Sequence, residues 1–136
     1  KGLFLEYKGL SLFANVGIGE TYLNNINMPI VLANELLKDR CKFYQHLNPN
    51  HKIIQGDITD DKVFNCIIEK AKELGVNFIL ATPPCQGMSL LGKQEEQDPR
   101  NLLITMVIKA MVELNPEFVL IENVPQIYET KISSML

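Results

Sequence analysis

Short apolar runs alternate along this chain with longer segments of helical period. Residues 10–14 read as a first strand, followed by a glycine-containing turn over 15–19 and a short helix over 20–27. A second strand is expected over 29–33. A helix over about 37–47 follows, stopped by Asn48-Pro49-Asn50, and then a third strand over 52–55 closed by Gly56-Asp57. Thr59, Asp60 and Asp61 are N-cap candidates for a helix that runs to Leu74. Its residues Val63, Ile67, Ala71 and Leu74 share one apolar face, and Gly75 ends it. Residues 76–81 form a fourth strand, apolar except at Asn77; 102–114 form a helix and, after Pro116, 118–121 a fifth strand. Strands this uniformly apolar suit a parallel sheet covered on both faces. The alternation, with right-handed crossovers, predicts an α/β domain over 1–136 built on a doubly wound, mostly parallel sheet. Ligands of such sheets bind at the carboxyl ends of the strands, where the strand order reverses.

Composition adds constraints rather than a different picture. The 46% hydrophobic and 21% charged fractions are ordinary for a globular domain. No apolar run approaches the roughly eighteen residues needed to cross a bilayer. Glu6 stands where an export signal would keep its apolar stretch, so neither a membrane nor a secreted setting is expected. Cys41, Cys66 and Cys85 form no C-x-x-C pair, and so sparse a set fits a reducing cytoplasm. Cys41 and Cys66 read as buried structural cysteines. His46 and His51 lie in a polar stretch without metal-ligand spacing and read as exposed surface residues; no metal is expected. The formal net charge of −3 argues, taken alone, against a DNA-binding surface.

The residues that call for a chemical explanation gather at the predicted strand ends. After strand one, Asn15, Gly17 and Gly19 mark a turn at which backbone can approach a ligand closely. After strand two, Glu35 is placed to accept hydrogen bonds from both hydroxyls of a ribose. After strand three, Asp57 is placed to accept from an adenine amino group. This points to an adenosine-containing ligand and leaves S-adenosylmethionine and NAD both open, although Tyr22 occupies the third glycine position of the dinucleotide pattern. Strand four runs into Thr82-Pro83-Pro84-Cys85, whose prolines stiffen the approach to the thiol, and strand five ends at Glu122. A thiol and a carboxyl facing one pocket suggest a nucleophile and a general acid.

Pro83-Pro84-Cys85-Gln86-Gly87-Met88-Ser89 resembles the Pro-Cys-Gln nucleophile motif of the cytosine-5 DNA methyltransferases, and Glu122-Asn123-Val124 resembles their Glu-Asn-Val motif. Gly92-Lys93-Gln94 is similar to the family's mobile catalytic loop, and Asp98-Pro99-Arg100-Asn101-Leu102-Leu103 to the segment whose leucine packs by the cofactor. Ser11-Leu12-Phe13, Asn34-Glu35 and Gly56-Asp57-Ile58 resemble its three cofactor motifs, in order. The resemblance runs from about Ser11 to Gln126. It implies a Rossmann-like methyltransferase fold, S-adenosylmethionine as cofactor and double-stranded DNA as substrate, with the target cytosine flipped into the pocket.

By that resemblance Cys85 adds to cytosine C6 while Glu122 protonates N3, so burial is expected to raise the pKa of Glu122. Asn123 supports the Pro-Cys loop. Phe13 lies near the adenine or sulfonium, Glu35 on the ribose, and Asp57 and Ile58 on the adenine. Backbone at Val16, Gly17 and Ile18 approaches the methionine moiety, and Leu103 packs beside the cofactor. Asn15, Asn34, Leu36, Thr82 and Pro84 complete the cofactor set. Gln86, Ser89, Lys93 and Arg100 belong to the DNA-contacting loop.

The sequence departs from the family in two places. The first loop usually reads Phe-x-Gly-x-Gly-Gly; here Asn15 and Ile18 replace the first and third glycines. Asn15 suits a left-handed conformation, whereas Ile18 does not. The Gln-x-Arg-x-Arg segment, the target recognition domain and the last motif are missing before Leu136. The expected partner is therefore the remaining C-terminal half, in the same gene product or as a second subunit, and the chain alone is expected to bind cofactor weakly and to methylate nothing detectable. A bacterial, cytoplasmic restriction-modification setting fits best. The alternatives are an inactive or regulatory cofactor-binding relative, a tRNA cytosine-5 methyltransferase and an NAD-dependent oxidoreductase with a reactive thiol.

Overall fold

The computed structural model describes residues 5–17, 20–84 and 99–122. Five strands alternate with four helices: β1 Gly9–Leu12, α1 Thr21–Asn25, β2 Ile30–Glu35, α2 Lys38–Leu47, β3 Lys52–Gln55, α3 Asp61–Leu74, β4 Phe78–Ala81, α4 Pro99–Leu114 and β5 Phe118–Ile121. The strands form one sheet in the order β3-β2-β1-β4-β5, and all four pairings are parallel. Strand order reverses at β1, so the switch point lies between the carboxyl ends of β1 and β4.

Helices pack on both faces of the sheet, although on the second face Leu120 of β5 stays exposed among the described residues. On one face Leu10, Leu12, Leu32, Ile79 and Ala81 pack with Ile67, Ile68 and Ala71 of α3 and with Met106, Val107 and Ala110 of α4. On the other, Ala33 packs with Ala14 and the fully buried Tyr44 of α2. Helix α3 has the clearest ends. The Asp60 carboxylate accepts from the backbone N–H groups of Lys62 and Val63 at 2.9 and 3.2 Å, and Gly75 closes it in a left-handed conformation with φ 74°.

The observed elements differ from the sequence expectation where a single residue ends or delays one. The first strand stops at Leu12 rather than residue 14 because Phe13 turns left-handed, with φ 58°. The first helix is trimmed to Thr21–Asn25, with Asn27 left-handed beyond it. The second strand reaches Glu35, two residues past its expected end. The fourth begins at Phe78 because the Asn77 side chain is tied to the segment that leads into β1, accepting from Lys8 N and donating to Glu6 O, both at 2.8 Å. The last helix begins at Pro99, three residues early, and proline suits a first helical turn. Two side chains sit otherwise than expected: Cys66 is exposed, since Ile67 and Ile68 take the buried face of α3, and His51 is largely buried, with a side-chain exposure of 10%, against Tyr44. Cys41 is buried, and its thiol donates to the Glu35 carbonyl at 3.4 Å.

Candidate functional site

One row of registered residues crosses the whole sheet near its carboxyl edge: Ile54, Asn34, Leu12, Ala81 and Ile121. The next residue on each strand is Gln55, Glu35, Phe13, Thr82 and Glu122. Register alone therefore sets Glu35, Phe13, Thr82 and Glu122 side by side along one edge. Backbone bonds continue the ladder past the strands: Ala14 N donates to Asn34 O, Thr82 N to Leu12 O and Glu122 N to Ala81 O, at 3.1, 3.3 and 3.0 Å. The Thr82 hydroxyl then donates to the Phe13 carbonyl at 3.0 Å, tying the two loops at the switch point together.

A cavity of about 330 Å³ opens there, lined by Phe13, Asn15, Asn34, Glu35, Leu36, Asp57, Ile58, Thr82, Pro84 and Leu103 of the predicted cofactor set. Leu37, Arg40 and Gly56 line it as well. Its acidic groups are held by local geometry. Glu35 is only 5% exposed; its Oε2 accepts from Leu37 N at 3.2 Å, while Arg40 stands 3.7 Å from Oε1. Asp57 commits Oδ1 to the N–H and hydroxyl of Thr59, at 2.9 and 2.7 Å. Asn34 bridges neighbouring strands by donating to the carbonyls of Ile54 and Gly56 at 2.9 and 3.1 Å. Phe13, Ile58 and Leu103 supply apolar wall, and Ile58 belongs to the main core. A flat aromatic ring between apolar side chains, with one carboxylate for a pair of hydroxyls and another for an amino group, is the ligand this set suits.

A second cavity of about 220 Å³ shares Asn15 and Thr82 with the first. Val16, Gly17, Glu20 and Glu122 line it, so the remaining described loop residues of the predicted set border this space rather than the larger one. Asn15 is left-handed, with φ 54°, as its substitution for glycine requires. Gly17 has φ 77°, and a Cβ there would come within 2.6 Å of the Tyr44 ring. Glu122 is exposed rather than buried, because β5 is the edge of the described sheet and no described element covers its outer side. Cys85, Gln86, Ser89, Lys93, Asn123 and Ile18 lie outside the described residues, as does the side chain of Arg100, whose backbone is in the first turn of α4.

Sequence reading missed Glu20, Tyr44, His51 and Arg40. Glu20 is 2% exposed and its Oε2 accepts from the Tyr44 hydroxyl. Tyr44 has one hydroxyl hydrogen, committed to that carboxylate, so the 2.9 Å contact with His51 is donated by His51 Nδ1–H. Burial raises the Glu20 carboxyl above its ordinary range, opposed by the hydroxyls of Ser11 and Tyr44. Burial also raises Tyr44, together with the adjacent Glu20 charge, and lowers His51. For Arg40 a signal existed, since it lies five residues after Glu35 on the following helix; the Glu20 cluster joins residues 24 and 31 positions apart and had none.

Comparison with known proteins supplies independent findings. The family model for C-5 cytosine-specific DNA methylase matches residues 7–136. The chain is 47% identical over 122 residues to the Type II methyltransferase M1.HgaI of Avibacterium volantium, covering 86% of this chain and 34% of that protein. It is 30% identical over 123 residues to the Type II methyltransferase M.AquIA of a Picosynechococcus strain, covering 88% of this chain and 49% of the relative. Among solved structures, a candidate DNA modification methyltransferase encoded within an E. coli prophage superposes with a TM-score of 0.72 at 25% identity, over 95% of this chain and 35% of that one. The chain thus spans between a third and a half of the length of these curated relatives.

Proposed function

Because the chain belongs to the C-5 cytosine-specific DNA methylase family, we propose that it forms the cofactor-binding and catalytic part of an enzyme that methylates carbon 5 of cytosine in double-stranded DNA. The single observation that carries this reading is the joined pair of cavities at the switch point: ten residues of the expected cofactor set line the larger, and Glu122 opens onto the smaller. The Type II names of the relatives favour a bacterial restriction-modification role. The remaining two thirds or half of such a protein, supplied in the same product or by a partner, would carry the DNA-reading surface. That accounts for the acidic balance of this part.

The larger cavity fits S-adenosylmethionine. Glu35 would hold the ribose diol and Asp57 the adenine amino group, with Phe13, Ile58 and Leu103 against the ring. When bound, the cofactor supplies an electrophilic methyl group. In the proposed reaction the Cys85 thiolate forms a bond to C6 of the flipped cytosine, and the ring electrons move toward C5 and N3. Glu122 donates its proton at N3 as charge develops there, which leaves C5 nucleophilic toward the methyl group. Once C5 carries the methyl group, a solvent base takes the C5 proton, the sulfur–C6 bond breaks to return Cys85 as thiolate, and N3 gives its proton back to Glu122. A free thiol near pKa 8.5 is only a few per cent ionised at neutral pH, a deficit of roughly 2 kcal/mol. The Pro83-Pro84 approach would offset part of the remaining barrier by positioning the sulfur.

Calorimetric titration of S-adenosylhomocysteine into the complete protein, with NAD in parallel, tests the cofactor assignment. Binding of the former alone is expected; preference for NAD would refute it. Incubation with a 5-fluorocytosine duplex and cofactor tests the chemistry. A covalent protein–DNA complex that maps to Cys85 is expected, and its absence in active protein would exclude the adduct.

A further inference from the structure

We infer that the buried Glu20 carboxylate receives the α-ammonium group at the amino-acid end of the cofactor. The inference rests on the adenosyl reading of the larger cavity and adds a partner for the opposite end of the same ligand. Glu20 is 2% exposed, and although the Ser11 hydroxyl also faces its carboxylate, only Oε2 makes a hydrogen bond among the described residues. Oε2 accepts from Tyr44, and His51 Nδ1 lies 3.8 Å from it. Oε1 has no hydrogen-bond partner among the described residues. Buried acceptors are almost always satisfied, and an anionic one most of all, so this oxygen marks the place of a missing donor.

The position specifies the donor. Glu20 lines the smaller cavity, which meets the larger one at Asn15 and Thr82. A ligand whose nucleoside fills the larger cavity and whose tail crosses that shared wall ends beside Val16, Gly17 and Glu20. The tail carries an ammonium and a carboxylate; the carboxylate is repelled by Glu20, whereas the ammonium offers three N–H donors and the opposite charge. The acceptor is preorganised. Tyr44 packs directly under Gly17, at a distance that leaves no room for a Cβ, so the loop and the Glu20–Tyr44 pair are fixed as one unit. Sequence separation hid this arrangement: Tyr44 and His51 are far from Glu20 in the chain and come together only through α2 and the turn after it. A flipped cytosine also carries an amino donor; the following test excludes it by containing no nucleic acid.

Two ligands separate the two ends of the cofactor: S-adenosylhomocysteine has the amino-acid end and 5′-methylthioadenosine lacks it. Both are titrated by calorimetry into the complete protein, as wild type and as Glu20→Gln. The substitution is expected to weaken S-adenosylhomocysteine about tenfold to hundredfold and to leave methylthioadenosine unchanged within about twofold, which also shows that the variant folds. Equal losses for both ligands, or none for either, overturn the inference and leave the adenosyl reading intact. Failure of the wild type to bind either ligand overturns both. If Glu20→Gln binds neither, Glu20→Asp decides, since it keeps the charge and withdraws it by one methylene: a loss confined to S-adenosylhomocysteine upholds the inference, and parallel losses overturn it.

Discussion

The two halves of the candidate site are built differently. On the β1–β3 side the polar groups of the larger cavity are fixed by nearby backbone: Glu35 by Leu37 N–H, Asp57 by the Thr59 turn, and the Asn34 amide by carbonyls of the neighbouring strand and turn. On the β4–β5 side, Glu122 ends an edge strand and stands exposed, next in register to Thr82. On the first side Asn34 and Glu35 are buried, and Asp57, although exposed, is pinned by its own turn. The second depends on what closes over it. A methyl donor can be held by a preformed pocket, but a base drawn out of a duplex needs an entrance, so rigidity and openness are divided between the two ends of one strand edge. Substitutions on the two sides should therefore separate binding from turnover.

The largest effect is expected on the open side. Cys85→Ser in the complete protein should lower methylation at least about a thousandfold while leaving S-adenosylhomocysteine affinity unchanged, because an alcohol at this position is a far poorer nucleophile. Undiminished methylation by this variant rules out the nucleophile role. Glu122→Gln should follow, with kcat reduced about a hundredfold and cofactor affinity again unchanged. A loss of cofactor binding in that variant would mean that the two cavities act as one and that binding and turnover are not divided between the two sides.

Most of the architecture was legible because it rests on local rules. The third and fifth strands were placed to the residue, the Gly75 stop followed from backbone chemistry that a single residue announces, and the N-cap, Asp60, was one of three adjacent candidates that the structure decides between. The lining of the larger cavity was legible for a related reason: residues that follow parallel strands fall on the carboxyl edge, so Glu35 and Asp57 could be placed there before any contact was known. What escaped notice required tertiary knowledge. Phe13 in a left-handed conformation contradicts its intrinsic preference and is held by the Thr82 bond across the switch point. Cys66 and His51 exchanged their expected environments because helix phase and a distant carboxylate decide burial, not residue type. The exposure of Glu122 follows from its place on an edge strand.

On the preformed side, Gly17→Ala tests rigidity itself. The new Cβ would meet the Tyr44 ring at 2.6 Å and hold an alanine at φ 77°, so a stability loss of about 2 kcal/mol is expected in a urea titration. An unchanged midpoint would mean that the loop shifts freely and that the pocket is not preformed. Glu35→Gln should have a smaller effect, near tenfold in S-adenosylhomocysteine affinity with kcat retained at saturating cofactor, since the amide still accepts one hydroxyl. Equal losses of affinity and kcat would place Glu35 in the reaction rather than in binding.

The smallest expected effect is a pH dependence with two opposed causes in one buried cluster. Burial raises Glu20 from its ordinary value of 4.5, so the folded state holds a proton that the unfolded state has released, and stability falls as pH rises above 4.5 through the raised pKa. Burial lowers His51 from 6.5, so its contribution is complete above 6.5 and is lost as pH falls through the lowered pKa. Where both groups titrate between these values, the two slopes oppose each other in the ligand-free wild type. Glu20→Gln removes the falling limb and should leave Tm rising toward pH 6.5 by on the order of a few degrees. His51→Gln should do the reverse. S-adenosylhomocysteine should act on the wild type as Glu20→Gln does, because an ammonium beside the carboxylate favours its ionised form and cancels the penalty that burial imposes. If the ligand instead leaves the slope unchanged while raising Tm uniformly, the small cavity takes no cation, and the preformed side ends at the adenosyl pocket.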